Sequence, residues 1–300
     1  MKTILFGNGL NYLSKNSISW QELLNKIKGD NLFENGKLPN TMIYERSIIG
    51  NPISFDTLTQ KEEKIKGEIA DLFRNFSGNK YFEKLASINV GNFLTTNYDY
   101  AALQTYESNP DYKIINKSTE DIYSIRRHKE IYFKKKLKSR IWHIHGEIDI
   151  PPSIMLGLDH YCGSVAKIDN YVKGRYEYQV DKKSIKTPSI IEKLEDQSKF
   201  DQSSWIELLF NTDVYIIGLG LDFSEIDLWW ILNKRARFKL DHKTKKLIRN
   251  KITYFSTSND KDHIETLKSL HLDVIQIKLD NTNRKYEKAY DEILKNIHDD

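Results

Sequence analysis

A chain of 300 residues with 39% hydrophobic composition can bury a sizeable core, as one large domain or two small ones. Lys and Arg number 46 against 42 Asp and Glu, and the resulting +4 is too mild to imply nucleic-acid binding by itself. The lone cysteine, Cys162, excludes a disulfide framework and a cysteine-rich zinc ribbon. No apolar run approaches the ~20 residues of a membrane span, and the opening "KTILFGNG" carries no signal-peptide pattern. A soluble, cytoplasmic protein without a membrane partner is expected.

The first strand is predicted at "TILFG" (residues 3–7), an almost unbroken apolar run of the kind found in buried parallel sheets. It leads into "FGNGLN" (6–11) and then the amphipathic helix "SWQELLNKIKG". Gly7 and Gly9 let a backbone approach a pyrophosphate at a helix N-terminus, or make a tight turn; G-x-G without a third glycine leaves both open. Residues 31–88 read as a mostly helical insertion, with "IKGEIADLFRNF" its clearest period. The second strand, "GNFLTTN" (91–97), ends in "LTTNYDYA", where Thr95, Thr96, Asn97 and Asp99 cluster around a helix start. One of them suffices to cap a helix; four polar groups exceed that need.

The densest basic run, "FKKKLKSR" (133–140), reads as a solvated helix end or loop, with a phosphate-contacting patch as the alternative. "RIWHIHG" (140–146) follows as a strand that Gly146, Pro151 and Pro152 stop. Alternation puts His143 and His145 on one face. They serve as satisfied histidines near a strand end, as a zinc pair with His160 as a third ligand, or as a general base. Residues 161–205 are polar and Tyr/Lys-rich without a clear period, a second insertion.

"DVYIIGLG" (213–220) is the next strand; Gly218 and Gly220 permit close backbone approach, and Asp222, Ser224, Glu225 and Asp227 decorate the start of the helix "FSEIDLWWILNKRARF". Strands at "KITYFST" (251–257) and "DVIQIKL" (273–279), the helix "KDHIETLKSL" and a final "YEKAYDEILKNIH" complete the chain. Strand then helix, repeated, predicts an α/β fold. It is a doubly wound, Rossmann-like, mostly parallel sheet in one domain spanning 1–300, with the insertions forming a smaller subdomain over one end. Polar or glycine-rich motifs end four successive predicted strands, the crevice position for a dinucleotide in such a sheet.

In their order these motifs resemble the sirtuin superfamily, and more closely the bacterial sirtuin-like branch of anti-phage defence. "GNGLN" looks like that branch's first glycine motif, "TTNYD" is similar to T-Q-N-x-D, "HIHG" to the segment ending in the catalytic His-Gly, and "GLGLDFSEID" to the late glycine strand that meets adenosine. The resemblance implies that Gly7, Asn8, Gly9 and Asn11 line the pyrophosphate and ribose of NAD, with Thr95, Thr96 and Gly146 beside the cofactor. It implies that Asn97 holds the nicotinamide ribose and attacking water with Asp99 in support, that His145 is the base, and that Gly218, Gly220 and Asp222 sit near the adenosine. His143 has no counterpart role. The four-cysteine zinc module of protein-deacetylating sirtuins is missing, as is their Phe-Arg loop, so no zinc is expected and cleavage of NAD itself is favoured over deacylation. The implied activity is hydrolysis of NAD to ADP-ribose and nicotinamide in abortive infection. A non-catalytic NAD or ADP-ribose sensor, an NAD-dependent deacylase and a zinc hydrolase are the alternatives.

An NAD-destroying enzyme must be silent until needed, which points to control by homo-oligomerisation, a separately encoded partner or a phage trigger. Residues 249–273 and the Tyr-rich "NYVKGRYEYQV" (170–180) are candidate contact surfaces. Direct nucleic-acid binding is not expected.

Overall fold

The computed structural model describes residues 1–29, 33–50, 57–117, 120 and 122–299. Among them lie the strands β1 (Lys2–Phe6), β2 (Asn92–Thr95), β3 (Tyr112–Lys117), β4 (His128–Phe133), β5 (Lys136–His143), β6 (Glu177–Val180), β7 (Lys183–Lys186), β8 (Asp213–Ile217), β9 (Ile252–Ser256) and β10 (Asp273–Gln276). Eight of these form one sheet in the order β10-β9-β8-β1-β2-β5-β4-β3. From β10 to β5 all neighbours are parallel; β4 and β3 extend the far edge antiparallel. The chain starts in the middle at β1, adds β2 beside it, runs to the far edge at β3 and back through β4 to β5, then places β8 on the other side of β1. That reversal beside β1 is the topological switch point, where ligands enter doubly wound sheets.

Period-two alternation gives each face of the sheet its own core. Leu5, Leu94, Trp142, Val214 and Ile216 face α6 (Leu158–Val172), α8 (Trp205–Asn211) and α9 (Ile226–Leu240). Ile4, Phe6, Phe93, Ile141, Tyr215 and Ile217 face α4 (Lys80–Ser87), α5 (Ala101–Glu107) and α11 (Lys285–Asp299). A third core joins α1 (Trp20–Lys28), α2 (Asn40–Ile49) and α3 (Leu58–Arg74) to Tyr98, Ile148, Ile154 and Leu156. This is the smaller helical layer over the strand ends. Local chemistry sets these helices: Ser19 and Glu22 form a capping box on α1, and the Thr57 and Asn79 side chains cap α3 and α4. Of the insertion read at 31–88, residues 31–32 and 51–56 lie outside the described residues.

Two expectations are corrected. Residues 133–140 are neither helix end nor loop: they form the tight hairpin joining β4 to β5. Lys134 and Lys135 turn it with φ of 46° and 69°. The 161–205 stretch holds most of α6, whose Tyr161, Ser164, Ile168, Tyr171 and Val172 are buried at helical spacing. Ser and Tyr in that stripe hid the period. The candidate contact surfaces are mixed: in 170–180 Tyr171, Val172 and Tyr176 are buried while Asn170, Lys173, Arg175, Glu177, Gln179 and Val180 are exposed, and 249–273 contains the buried strand β9 before the largely exposed α10 (Lys261–Ser269).

Left-handed backbone costs a non-glycine residue roughly 1–2 kcal/mol, and Asn-Gly is the pair suited to two successive positive φ values. Replacing Lys134 by Asn together with Lys135 by Gly is therefore expected to raise the unfolding free energy in urea by about 1–2 kcal/mol. An unchanged midpoint would show that the lysines adopt this turn without strain.

Candidate functional site

A crevice of about 990 Å³ opens at the carboxyl ends of the parallel strands, at the upper end of the ~300–1,000 Å³ typical of small-molecule sites. Asn8 and Gly9 follow β1, Thr96 follows β2, residues 218–225 follow β8 and residues 256–258 follow β9 in its wall. Ser19, Trp20, Asn40 and Thr41 close it from the helical layer, and Tyr286 and Tyr290 from α11. The turns after β1 and β8 are pressed together: the Gly9 N–H donates to the Gly218 carbonyl at 2.8 Å, and a Cβ on Gly9 would fall 2.7 Å from Gly218 Cα. Glycine at 9 thus serves backbone contact as well as access. Gly220 is different, with no heavy atom within 4 Å of where a Cβ would stand. Among the described residues no lysine or arginine lines the crevice, while Asp222, Glu225 and Asp260 do. A phosphate there would be met by backbone N–H groups, hydroxyls, the amides of Asn8 and Asn40, or His263.

His145 lies one side chain behind this wall. Its Nε2 is 3.2 Å from Asp227 Oδ1, its ring meets the ring of the crevice-lining Tyr161 edge-on at 5.3 Å, and it is 1% exposed. Asp227, in the first turn of α9, also accepts from Ser164 Oγ at 3.1 Å and from the Leu228 N–H at 2.8 Å. Burial by itself would push the His145 imidazole down, but the Asp227 charge and hydrogen bond, with Glu225 behind them, carry it above its ordinary value. Glu225 lines the crevice, and burial raises its carboxyl to about 8 despite the opposing pull of His145.

The remaining residues fall into three groups. Asn8, Gly9, Thr96, Gly218, Gly220 and Asp222 share the crevice. Asn97 lines a small adjoining cavity that shares Asn8, Ser19, Trp20 and Thr96 with it, and its amide donates to the Gly7 carbonyl at 3.4 Å. Gly7, Asn11, Thr95, Asp99 and Gly146 line neither space. Asp99 was expected to support Asn97. Instead its Oδ1 accepts the Ala101 N–H at the start of α5, and its Oδ2 accepts from Asn11 Nδ2 at 2.7 Å. Thr95 supports Asn97 in its place, its Oγ1 accepting the Asn97 N–H at 3.0 Å. Gly146 turns with φ +102° against the Ser153 backbone.

The two histidines do not share a face. β5 ends at His143, and the chain turns before His145. His143 Nε2 points to the Asp99 carbonyl at 3.0 Å and its ring packs on Tyr100 ahead of α5, whereas His145 meets α6 and α9. Burial pushes His143 down to about 4, against the raising charge of Glu147. His160 Nδ1 accepts the Leu156 and Gly157 N–H groups at the start of α6. These three histidines therefore form no common ligand set, and no cluster of three or more metal-ligating side chains occurs among the described residues.

Sequence reasoning passed over Tyr161, Glu225 and Asp227 as site residues. The only local signal was "DFSEID", whose acids already had a sufficient explanation in the helix dipole. No protein-family model and no curated protein matches this chain.

Proposed function

We propose that the chain binds NAD across the crevice and hydrolyses its nicotinamide–ribose bond, releasing nicotinamide and ADP-ribose. The observation that carries this reading is a dinucleotide-sized crevice at the switch point, walled by the glycine turns of β1 and β8, with the His145–Asp227 pair directly behind it. The nicotinamide leaves as a neutral base from a cationic substrate, so no general acid is required. What the reaction needs is an oriented ribose, a water on its open face, and a base for the water's proton. Asn97 supplies amide hydrogen bonds for the first two and His145 the third, with Asp227 fixing the ring and stabilising the imidazolium it becomes. Water adds to the ribosyl carbon as the glycosidic bond breaks, and the proton passes to His145.

The pH dependence follows from the direction of the His145 shift. Only the neutral imidazole can accept a proton, and Asp227 favours the charged form. Turnover should therefore rise with pH through a value above the usual imidazole 6.5. Asp227→Asn is expected to move that rising limb of kcat/KM to lower pH while lowering its plateau. A limb that stays in place would remove Asp227 from the role.

A second reading, binding without turnover, draws on the near-complete burial of His145 under Tyr161. Chromatographic identification of products after incubation with NAD, beside calorimetry with ADP-ribose, separates the two. Nicotinamide release supports hydrolysis; binding without release supports a sensor. Release that requires an added acylated peptide would instead mark an NAD-dependent deacylase. As a hydrolase the chain would serve as an NAD-depleting effector of anti-phage defence, held silent by self-assembly, a separately encoded partner or a phage trigger. Full turnover by the isolated monomer would exclude such control.

A further inference from the structure

Glu225 is 7% exposed, yet it is one of the residues that line the crevice, and its Oε2 is buried without a hydrogen-bond partner among the described residues. An orphaned carboxyl oxygen is costly in a protein interior. The neighbours offer it little. Tyr98 donates its hydroxyl to the Met155 carbonyl at 2.6 Å and Tyr254 donates to the Leu219 carbonyl at 2.8 Å, so neither is free to donate to Glu225. The third tyrosine whose charge couples to Glu225 is Tyr161, which itself faces the crevice. Among the described residues His145 is the cationic neighbour, and its Nε2 is already directed to Asp227. Asp222 and Asp227 add like charge from the β8 turn and from α9.

We propose that Glu225 is a ligand-recognition residue that enters the crevice as a neutral carboxylic acid and donates its O–H to an oxygen of the bound dinucleotide, a ribose hydroxyl or a phosphate oxygen. This rests on the reading of the crevice as a pyridine-dinucleotide site. A neutral acid supplies a donor where no lysine or arginine is present, and it adds no negative charge beside Asp222 and Asp227. Once ionised it loses the donor and repels an anionic ligand, so binding is strong below the carboxyl's raised value of about 8 and weakens above it.

The test uses ADP-ribose, which keeps the ribosyl-diphosphate-adenosine frame and has no nicotinamide to lose. Its affinity is measured calorimetrically from pH 6.5 to 9.5 for the full chain and for Glu225→Gln and Glu225→Ala. Wild-type affinity is expected to fall about tenfold across that range. The Gln variant, an uncharged donor of similar shape, should hold near the wild-type pH 7 value throughout, and the Ala variant should bind about 3- to 10-fold more weakly at pH 7. Parallel pH profiles for wild type and Glu225→Gln, or an Ala variant that binds as well as wild type, would overturn the role of Glu225 alone. Absence of ADP-ribose and NAD binding by the wild type at every pH would overturn the dinucleotide reading and this proposal with it.

Discussion

Replacing His145 by glutamine is expected to lower nicotinamide release by about 10²–10⁴-fold, the usual loss on removing a positioned base, while the protein remains folded and still binds ADP-ribose. Glutamine is a better probe than alanine because of what lies behind the ring. Asp227 is 0% exposed, and His145 is its charge partner at 3.2 Å. Truncation to alanine leaves that carboxylate with only the Ser164 hydroxyl and the Leu228 N–H, and breaking a buried pair from one side typically costs about 3–5 kcal/mol. An inactive alanine variant would then confuse chemistry with unfolding. The glutamine amide keeps a donor within reach of Asp227 and cannot accept a proton from water. Asn97→Ala is the complementary test, since its amide makes only one long contact, 3.4 Å to the Gly7 carbonyl, so its loss should barely change stability. Comparable loss of turnover in both variants, with melting curves near wild type and ADP-ribose affinity retained by His145→Gln, supports one shared reaction centre. A folded His145→Gln protein that turns over NAD within twofold of wild type would take the base role away from this histidine.

The sheet's parallel strands were legible because β1, β2, β5, β8, β9 and β10 carry short apolar runs, as strands of parallel sheets do. β3 and β4 were not. Their sequences, YKIINK and HKEIYF, mix charged and apolar residues without a clean period of two, and the buried charge at Lys129 makes sense only through a remote partner. Lys129 pairs with Glu147 at 2.9 Å, across eighteen positions of chain that no local period can bridge (147 − 129 = 18). The site divides along the same line. Glycines at strand ends announce close backbone approach whatever the tertiary fold, and Gly9, Gly218 and Gly220 do meet in one crevice. The face of His145 was misread because alternation was extended past the end of β5. Asp227 and Glu225 were readable only as helix-start acids; what distinguishes them is His145, more than 75 positions earlier. The Asp99–Asn11 bond, with partners 88 apart, is another contact that neither residue signals alone.

Gly146→Ala is expected to destabilise the protein by roughly 2–6 kcal/mol, summing backbone strain of about 1–3 with overpacking of about 1–3. The position has φ +102°, which side-chain-bearing residues rarely adopt. A Cβ there would lie 2.3 Å from the Ser153 carbonyl oxygen, 2.5 Å from its carbonyl carbon and 2.7 Å from Ile154 Cα. All three are backbone atoms, and they are held in place: the Met155 N–H donates to the His145 carbonyl at 3.0 Å and the Glu147 N–H donates to Ser153 Oγ at 3.1 Å. Relief must therefore separate residues 145–147 from 153–155, which carries the His145 ring away from Asp227. Stability and turnover should fall together in this variant. Gly220→Ala is the control, because open space surrounds that position and its φ is not in the left-handed region. It should unfold within about 0.5 kcal/mol of wild type while weakening ADP-ribose binding, since the added methyl takes up open space on a crevice-lining turn. A urea midpoint for Gly146→Ala matching that of Gly220→Ala would mean that the turn after β5 is not the rigid mount for His145 that these distances describe.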